Sequence, residues 1–252
     1  MIQEERKSLI LQALSRSPVL KLEALADTLG VSVDTIRRDL KAMDREGLLQ
    51  YIRGGAKAIR PAEQFYPFKG REIINIDRKK EASRKALEWV KKGDVIFLNS
   101  GTTNTILAGE LARAGIPCTV VTNNLAAATA AAESPCCAVR LVGGRLDGAE
   151  QSTCGSECEQ AVSRFFPDLC FLSVNALHTE AGLTDFRLEE IPIIQTLCRN
   201  ARHTAAVMDS TKLDRVAKRQ VFPPREAPPI FMDNAVRPED KARYLAAGLR
   251  IL

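Results

Sequence analysis

Two groups of residues carry chemistry in this 252-residue chain. The first lies between Ser32 and Lys57. Ser32 is placed to cap a helix, its hydroxyl accepting the free backbone N–H groups of the first turn. With Ile36, Leu40 and Met43 as the inward stripe, Asp34, Arg38, Lys41 and Arg45 project to the opposite side, with Arg37 and Thr35 on the flanks. A guanidinium fork matches guanine O6/N7 or a phosphate, so such a helix suits the major groove of DNA. Asp34 would repel phosphate; its roles are to accept from a cytosine amino group or to orient Arg38. Beyond Glu46-Gly47, two short apolar runs flank Gly54-Gly55, the pattern of a hairpin whose tip carries Arg53 and Lys57.

The second group consists of small polar residues, each set directly after an apolar run. They are Asn99-Ser100-Gly101-Thr102-Thr103, Thr122-Asn123-Asn124, Gly143-Gly144-Arg145 and Asp209-Ser210-Thr211-Lys212. Hydroxyls and a permissive glycine ahead of a helix start are what an anion site needs, because the free N–H groups and the helix dipole both favour negative charge. One such turn is ordinary geometry. Four at equivalent strand ends describe a pocket, and its natural occupant is a phosphorylated or polyhydroxylated small molecule.

The elements that would position these groups follow from periodicity. Helical stripes run through Leu9, Ile10, Ala13 and Leu14, and through Leu22, Leu25, Ala26 and Leu29. Gly30 then stops the second helix two residues before Ser32, giving helix–turn–helix spacing. Residues 1–59 read as a winged helix-turn-helix domain and 60–76 as a linker around Pro61, Phe65, Pro67 and Gly70. Residues 77–252 read as an α/β domain that opens on a charged helix from Asp77 to Lys92 with Ala82, Ala86, Trp89 and Val90 inward. Its Arg78-Lys79-Lys80 run reads as a solvated face or as an extension of the DNA footprint. Strands are expected at Val95–Leu98, Cys118–Thr122, Ala138–Val142, Leu169–Val174, Thr204–Met208 and Pro229–Met232. Helices are expected near Thr103–Ala114, Leu125–Ala132, Ser156–Phe165 and Glu189–Ala201. The alternation argues for a mostly parallel sheet with ligands beyond its carboxyl ends.

Composition narrows the classes. The net charge of +5 is small, but residues 1–60 hold 11 Lys/Arg against 8 Asp/Glu, so over half of the excess sits in the first quarter of the chain. No apolar run approaches a membrane span, and the N-terminus lacks a secretory apolar block, so a cytoplasmic protein is expected. Seven cysteines, an odd number, read as reduced thiols. Cys154 and Cys158 share a helix face and form a candidate redox pair, but neither they nor His178 and His203 have metal-site spacing, and no cofactor motif is present.

The strings Leu29-Gly30-Val31-Ser32, Thr35-Ile36-Arg37-Arg38-Asp39-Leu40 and Gly54-Gly55-Ala56 resemble the winged helix-turn-helix of the DeoR family of bacterial transcriptional regulators. Arg53 stands where the family often has His. Ser100-Gly101-Thr102-Thr103, Val121-Thr122-Asn123, Gly143-Gly144, Gly182-Leu183-Thr184 and Asp209-Ser210-Thr211-Lys212 resemble that family's sensor domain. The resemblance implies the fold of ribose-5-phosphate isomerases and CoA transferases, and a phosphorylated sugar as effector. Ser100, Gly101, Thr102 and Thr103 would hold the phosphate, while Thr122, Asn123, Gly143, Gly144, Asn175, Asp209 and Lys212 would line the rest. Two departures stand out. Asn175 occupies a position where relatives carry a carboxylate, and Ile194 falls about where they carry a Lys, leaving Lys212, Arg145 or Arg187 as substitute cations.

The expected protein is a repressor acting as a homodimer or homotetramer on double-stranded operator DNA, with no membrane partner and no cofactor. Two other readings stand beside it: a sugar-phosphate isomerase or transferase with a DNA-binding head, and a DNA-bound scaffold with a vestigial pocket.

Overall fold

Local punctuation sets the N-terminal elements. Helix α1 (Gln3–Arg16) is followed by strand β1 (Val19–Lys21) and helix α2 (Leu22–Leu29), which Gly30 ends in the left-handed conformation at φ 63°. Helix α3 (Val33–Arg45) starts at Ser32, whose Oγ accepts from Thr35 N–H at 3.2 Å. Strands β2 (Gln50–Ile52) and β3 (Gly55–Lys57) form the hairpin, and β1 adds to β3 on its other side, giving the order β1-β3-β2. Only glycine fits at Gly55: a Cβ there would lie 1.9 Å from the Leu20 carbonyl oxygen of β1. Ile10, Leu11, Leu14, Leu25, Ile36, Leu40, Met43 and Leu49 fill the core. The inward face of α1 is therefore Lys7, Ile10, Leu11 and Leu14, while Leu9, expected inside, is exposed. Helix α4 (Phe68–Ile73) lies within the stretch expected as a linker and packs against α1, where Tyr66 Oη donates to Leu11 O at 3.2 Å.

The computed structural model describes residues 1–59, 66 and 68–252, so Pro61, Phe65 and Pro67 lie outside the described residues. It divides into two compact units, Met1–Asn75 and Ile76–Leu252.

The second unit opens on α5 (Ile76–Leu87). Strand β4 (Val95–Leu98), helix α6 (Thr102–Ala114), β5 (Cys118–Thr122), α7 (Leu125–Ala132) and β6 (Cys137–Leu141) follow. After a short hairpin of β7 (Arg145–Asp147) and β8 (Ser152–Cys154) come α8 (Ser156–Val162) and β9 (Leu169–Leu172). Strands β10 (Ala176–His178) and β11 (Gly182–Asp185) precede α9 (Glu190–Asn200) and β12 (His203–Val207). The chain closes with β13 (Arg219–Phe222), β14 (Ile230–Phe231) and α10 (Pro238–Ala246).

All six expected strands join one parallel sheet in the order β14-β12-β9-β4-β5-β6. The chain runs outward from β4 through β5 to β6, then returns to β9 and continues outward to β14. The order therefore reverses between β4 and β9, which is where open α/β sheets leave a crevice beyond the strand ends. A second sheet, antiparallel and in the order β10-β11-β13, was not expected from the sequence.

A part-buried ion pair ties α1 to the inner side of α3: Arg6 Nε and Nη2 reach Asp39 Oδ2 and Oδ1 at 2.6 and 3.2 Å, and Lys7 Nζ meets Glu46 at the end of α3 at 2.8 Å. Replacing Asp39 by Ala leaves the Arg6 guanidinium without its acceptor and is expected to cost about 1.5–3 kcal/mol. Chemical denaturation of the variant checks this, and an unchanged midpoint would show that the pair does not hold α3.

Candidate functional site

On the N-terminal unit, the outward side of α3 carries Asp34, Arg37, Arg38, Lys41 and Arg45, all exposed, with Thr35 half-buried. The Arg37 Nη1 donates to Asp34 Oδ1, so the acidic residue partners Arg37. Among the described residues, Arg38 bonds only to the Asp34 backbone carbonyl, through Nε at 3.4 Å. Asp34 therefore orients Arg37 rather than Arg38. Ser32 Oγ also lies 2.9 Å from Thr35 Oγ1, so both hydroxyls serve the helix start. The wing is fixed to this helix twice. Tyr51 N–H donates to Asp44 Oδ1 at 3.1 Å, and Lys41 Nζ stands 5.8 Å over the Tyr51 ring. Arg53 at the hairpin turn and Lys57 on β3 are exposed. Asp44 and Asp39 escaped sequence reasoning because each looks like one more charge on a solvated helix.

In the second unit the strand-end residues converge and are buried. Ser100, Thr103, Thr122 and Asn123 are fully buried, while Thr102, Asn175 and Asp209 are nearly so. Gly101 starts α6 at φ 126°, and a Cβ there would lie 2.6 Å from Ser173 Oγ, so glycine alone lets the β4 and β9 loops meet. Asn99 crosses the same gap, its Oδ1 accepting from Ser173 N–H at 2.7 Å. Asn124 caps α7 by accepting from Ala127 N–H at 3.1 Å and donates to Gly101 O at 3.0 Å. Thr122 is spent on backbone: its hydroxyl donates to Leu98 O at 2.5 Å and accepts from Asn124 N–H at 3.0 Å. Gly144 is half-buried against Cys158, whereas Gly143 is exposed at the exit of β6.

Arg187, in the turn between β11 and α9, is the centre of this cluster. Its Nη1 donates to Ser100 O and Oγ at 2.7 and 2.6 Å, and its Nη2 donates to Ser173 O at 2.7 Å. Its Nε and Nη2 also grip Asp185 at 3.0 and 2.7 Å. All five guanidinium N–H groups are thereby used, so Arg187 is not a spare cation for a ligand. Arg145 is likewise engaged, with Glu189. Asn175 Nδ2 donates to Asp185 Oδ1 at 2.7 Å, so this amide supports a carboxylate instead of replacing one. Ile194 is fully buried in the core. Burial alone would raise the Asp185 carboxyl, but the Arg187 charge and its hydrogen bonds hold it below the usual carboxylate range.

A second charged group adjoins the first. Lys79 on α5 is buried and donates to Thr102 Oγ1 at 3.1 Å. It is neither a solvated lysine nor part of a DNA footprint. Lys212 Nζ reaches Val174 O at 2.7 Å. Against the effect of burial, Lys212 and Lys79 pull the Asp209 carboxyl below its ordinary value. Among the described residues, Ser83 Oγ, Thr103 Oγ1, Asn104 Oδ1 and Asn123 Oδ1 are buried with no hydrogen-bond partner; Thr103 lies in the first turn of α6 and Asn123 in the turn after β5.

The structure also forms a groove of about 590 Å³ between α9 and β13, lined by Gln195, Cys198, Arg199, Gln220 and Phe222 among others. The expected ligand residues are not part of it. Because those residues are buried against one another, the strand-end site is closed on itself. The Cys154 and Cys158 thiols are pushed by burial up to about 12 and about 11, which disfavours the thiolate a redox pair requires.

Comparison with known proteins bears on both units. Residues 6–62 match the DeoR-like helix-turn-helix domain, and residues 74–234 match the DeoR C terminal sensor domain. The chain belongs to the DeoR family. It is 28% identical to the HTH-type transcriptional regulator GolR of Listeria innocua over 98% of this chain and 97% of that protein. It is 31% identical to the deoxyribose operon repressor of Escherichia coli K12 over 84% of this chain and 83% of that protein. Ribose 5-phosphate isomerase A of Methanocaldococcus jannaschii aligns with a TM-score of 0.41 at 16% identity over 55% of each chain. As a DeoR-family member the chain is a transcriptional regulator with a DNA-binding helix-turn-helix. Among the described residues no helix is long and apolar enough to cross a membrane.

Removing Asp185 should expose how much this DeoR-family sensor domain relies on its internal charges. Asp185→Ala removes the hydrogen-bonded partner of buried Arg187 and leaves only Glu190 and Glu150 to offset its charge, with an expected loss of about 3–5 kcal/mol. The folded-state pKa values of Asp185 and Asp209 lie below the unfolded ones. Their ionised forms therefore stabilise the fold above about pH 4, and that contribution fades as pH falls through and below it. Denaturant titrations across this range check both expectations; an acid-insensitive wild type would contradict the second.

Proposed function

We propose that the protein is a repressor that binds double-stranded operator DNA as a homodimer or homotetramer and whose sensor domain binds a phosphorylated small metabolite of the sugar-phosphate class. On the DNA side, Arg38 and Arg37 contact bases or phosphates, with Ser32, Asp34, Thr35 and Lys41 around them and Arg53 and Lys57 reaching the backbone from the wing. The supporting observation is that α3 is pinned from behind by the Arg6–Asp39 pair while, among the described residues, the terminal amino groups of Arg38 have no bonding partner. A planar fork held on a rigid helix is what bidentate readout requires.

On the sensor side, the carrying observation is that two of the four unpartnered buried oxygens among the described residues, Thr103 Oγ1 and Asn123 Oδ1, lie just beyond the carboxyl ends of the adjacent strands β4 and β5. Buried polar atoms are normally satisfied, and two orphans beside a helix start suit a ligand bearing hydroxyls and an anion. Ser100 to Thr103 take the phosphate. Asn123, Asn175, Asp209 and Lys212 border the remainder, with Thr122, Gly143 and Gly144 shaping it. Asp185 and Asp209 are both held ionised by neighbouring cations, so neither is poised to exchange a proton near neutral pH.

Replacing Arg38 by Ala should weaken operator binding by about 1–3 kcal/mol if it reads a base, or lower the salt slope by about one if it meets a phosphate. Fluorescence anisotropy at several salt concentrations separates these outcomes, and no change in either removes Arg38 from the reading face. For the sensor, a thermal-shift screen of sugar phosphates should give a saturable stabilisation that Thr103→Val weakens; a screen without hits would favour the vestigial-pocket reading.

A further inference from the structure

One carboxylate is already seated in the strand-end site. Glu190, the first residue of α9, is 3% exposed. Its Oε1 accepts from the Ser100 backbone N–H at 2.9 Å, and its Oε2 accepts from Asn123 Nδ2 at 3.0 Å. Ser100 and Asn123 belong to the two loops that lead into α6 and α7. A carboxylate from a third element thus bridges them with the donor pattern that an oxyanion ligand would use.

The surroundings show why such a group is tolerated. Arg187 stands beside it, bonded to the same Ser100, while Asn99 contributes a further hydrogen bond. Asp185 faces Arg187 from β11, Glu150 interacts with Arg187 from the β7–β8 hairpin, and Cys158 lies close by on α8. Burial raises the Glu190 carboxyl above its ordinary value even though Arg187 and these hydrogen bonds oppose the shift. Its ionised form is thus the less comfortable one, and the site becomes less negative when it is protonated or withdrawn.

We propose that Glu190 is a built-in anion that occupies the Ser100–Asn123 gap in the ligand-free sensor, and that an anionic effector group competes with it for the Ser100 loop. The inference rests on the reading of these loops as the effector site. It assigns Glu190 a specificity role: only a ligand whose anion outmatches an internal carboxylate opens the site. Glu190 opens α9, whose Ile191, Ile193 and Ile194 are buried in the core, so a withdrawal that shifts the first turn is carried into a packed helix. Effector binding is thereby converted into a displacement of a packed helix.

The test is sulfate binding to the full-length protein, followed by calorimetry and thermal shift. Sulfate is a fixed dianion between about pH 5 and about pH 8, so any pH dependence belongs to the protein. Wild-type affinity is expected to climb as pH falls towards the titration of Glu190, whose carboxyl burial holds above its ordinary value. Glu190→Gln, a neutral isostere, should bind sulfate about ten-fold tighter at the upper end, with a flat pH profile. Glu190→Asp, which retracts the carboxylate, should fall between the two and serves if the Gln variant does not fold. Equal or weaker binding by a folded variant, with sulfate still bound by the wild type, overturns the role of Glu190 and leaves the effector site standing. Absence of saturable binding in all three proteins overturns the site itself and the inference with it.

Discussion

The sensor domain is organised around a single buried guanidinium. Arg187 reaches the loops after β4 and β9 and the end of β11 at once, and all five of its N–H groups find acceptors there. A buried cation is tolerated only when it is paired and fully hydrogen-bonded, so the neighbouring residues are constrained by it. Asp185 must be ionised, and Asn175 must be a donor: a carboxylate at position 175 would lie against Asp185 with like charge. The antiparallel sheet β10-β11-β13 is the device that brings Asp185 and Arg187 over the ends of the parallel strands. What looks in the sequence like two departures from the family pattern has different causes. Asn175 is coupled to the internal ion pair, while Ile194 has joined the hydrophobic core.

This arrangement changes the charge account of the site. The cations nearest the strand ends are each engaged with protein acceptors, and Asp185, Asp209 and Glu190 place three carboxylates among them. Such a cleft does not attract a phosphate by net charge. Selectivity has to come from the exchange of one set of satisfied hydrogen bonds for another, which makes the two unsatisfied oxygens of Thr103 and Asn123 informative. The DNA-reading head works differently. There the basic groups are exposed, and rigidity comes from the Arg6–Asp39 pair behind α3 and from the Asp44–Tyr51 bond to the wing.

Much of the framework was legible in the residues themselves. The six core strands are long apolar runs punctuated by Asn, Ser, Thr and Gly, and a parallel sheet buried on both faces produces that pattern. Ser32, Gly30 and the Gly54-Gly55 turn marked the winged helix for equally local reasons. The second sheet was not legible because β13 joins β11 only after α9 and β12 have intervened, and the register shifts between Leu183 and Thr184. Leu9 and Leu11 are both apolar and only two positions apart, so the turn of α1 that faces inward depended on what it packs against. Charge misled most at Lys79 and Glu190. Each sits in a run of like residues, Arg78-Lys79-Lys80 and Glu189-Glu190, where one member turns inward and its neighbours do not. A doubled charge at the start of a helix carries no mark of which copy is buried.

Under the proposed function, ligand at the strand ends and operator at α3 are energetically coupled. The most direct measurement is an equilibrium titration of the full-length protein with an operator duplex selected from random-sequence DNA, with and without the sugar phosphate that most stabilises the sensor. The account predicts a change in operator affinity of about 5–150-fold, with the same factor recovered when ligand affinity is measured on the DNA-bound protein. An operator affinity that does not move while the sensor is saturated would contradict it.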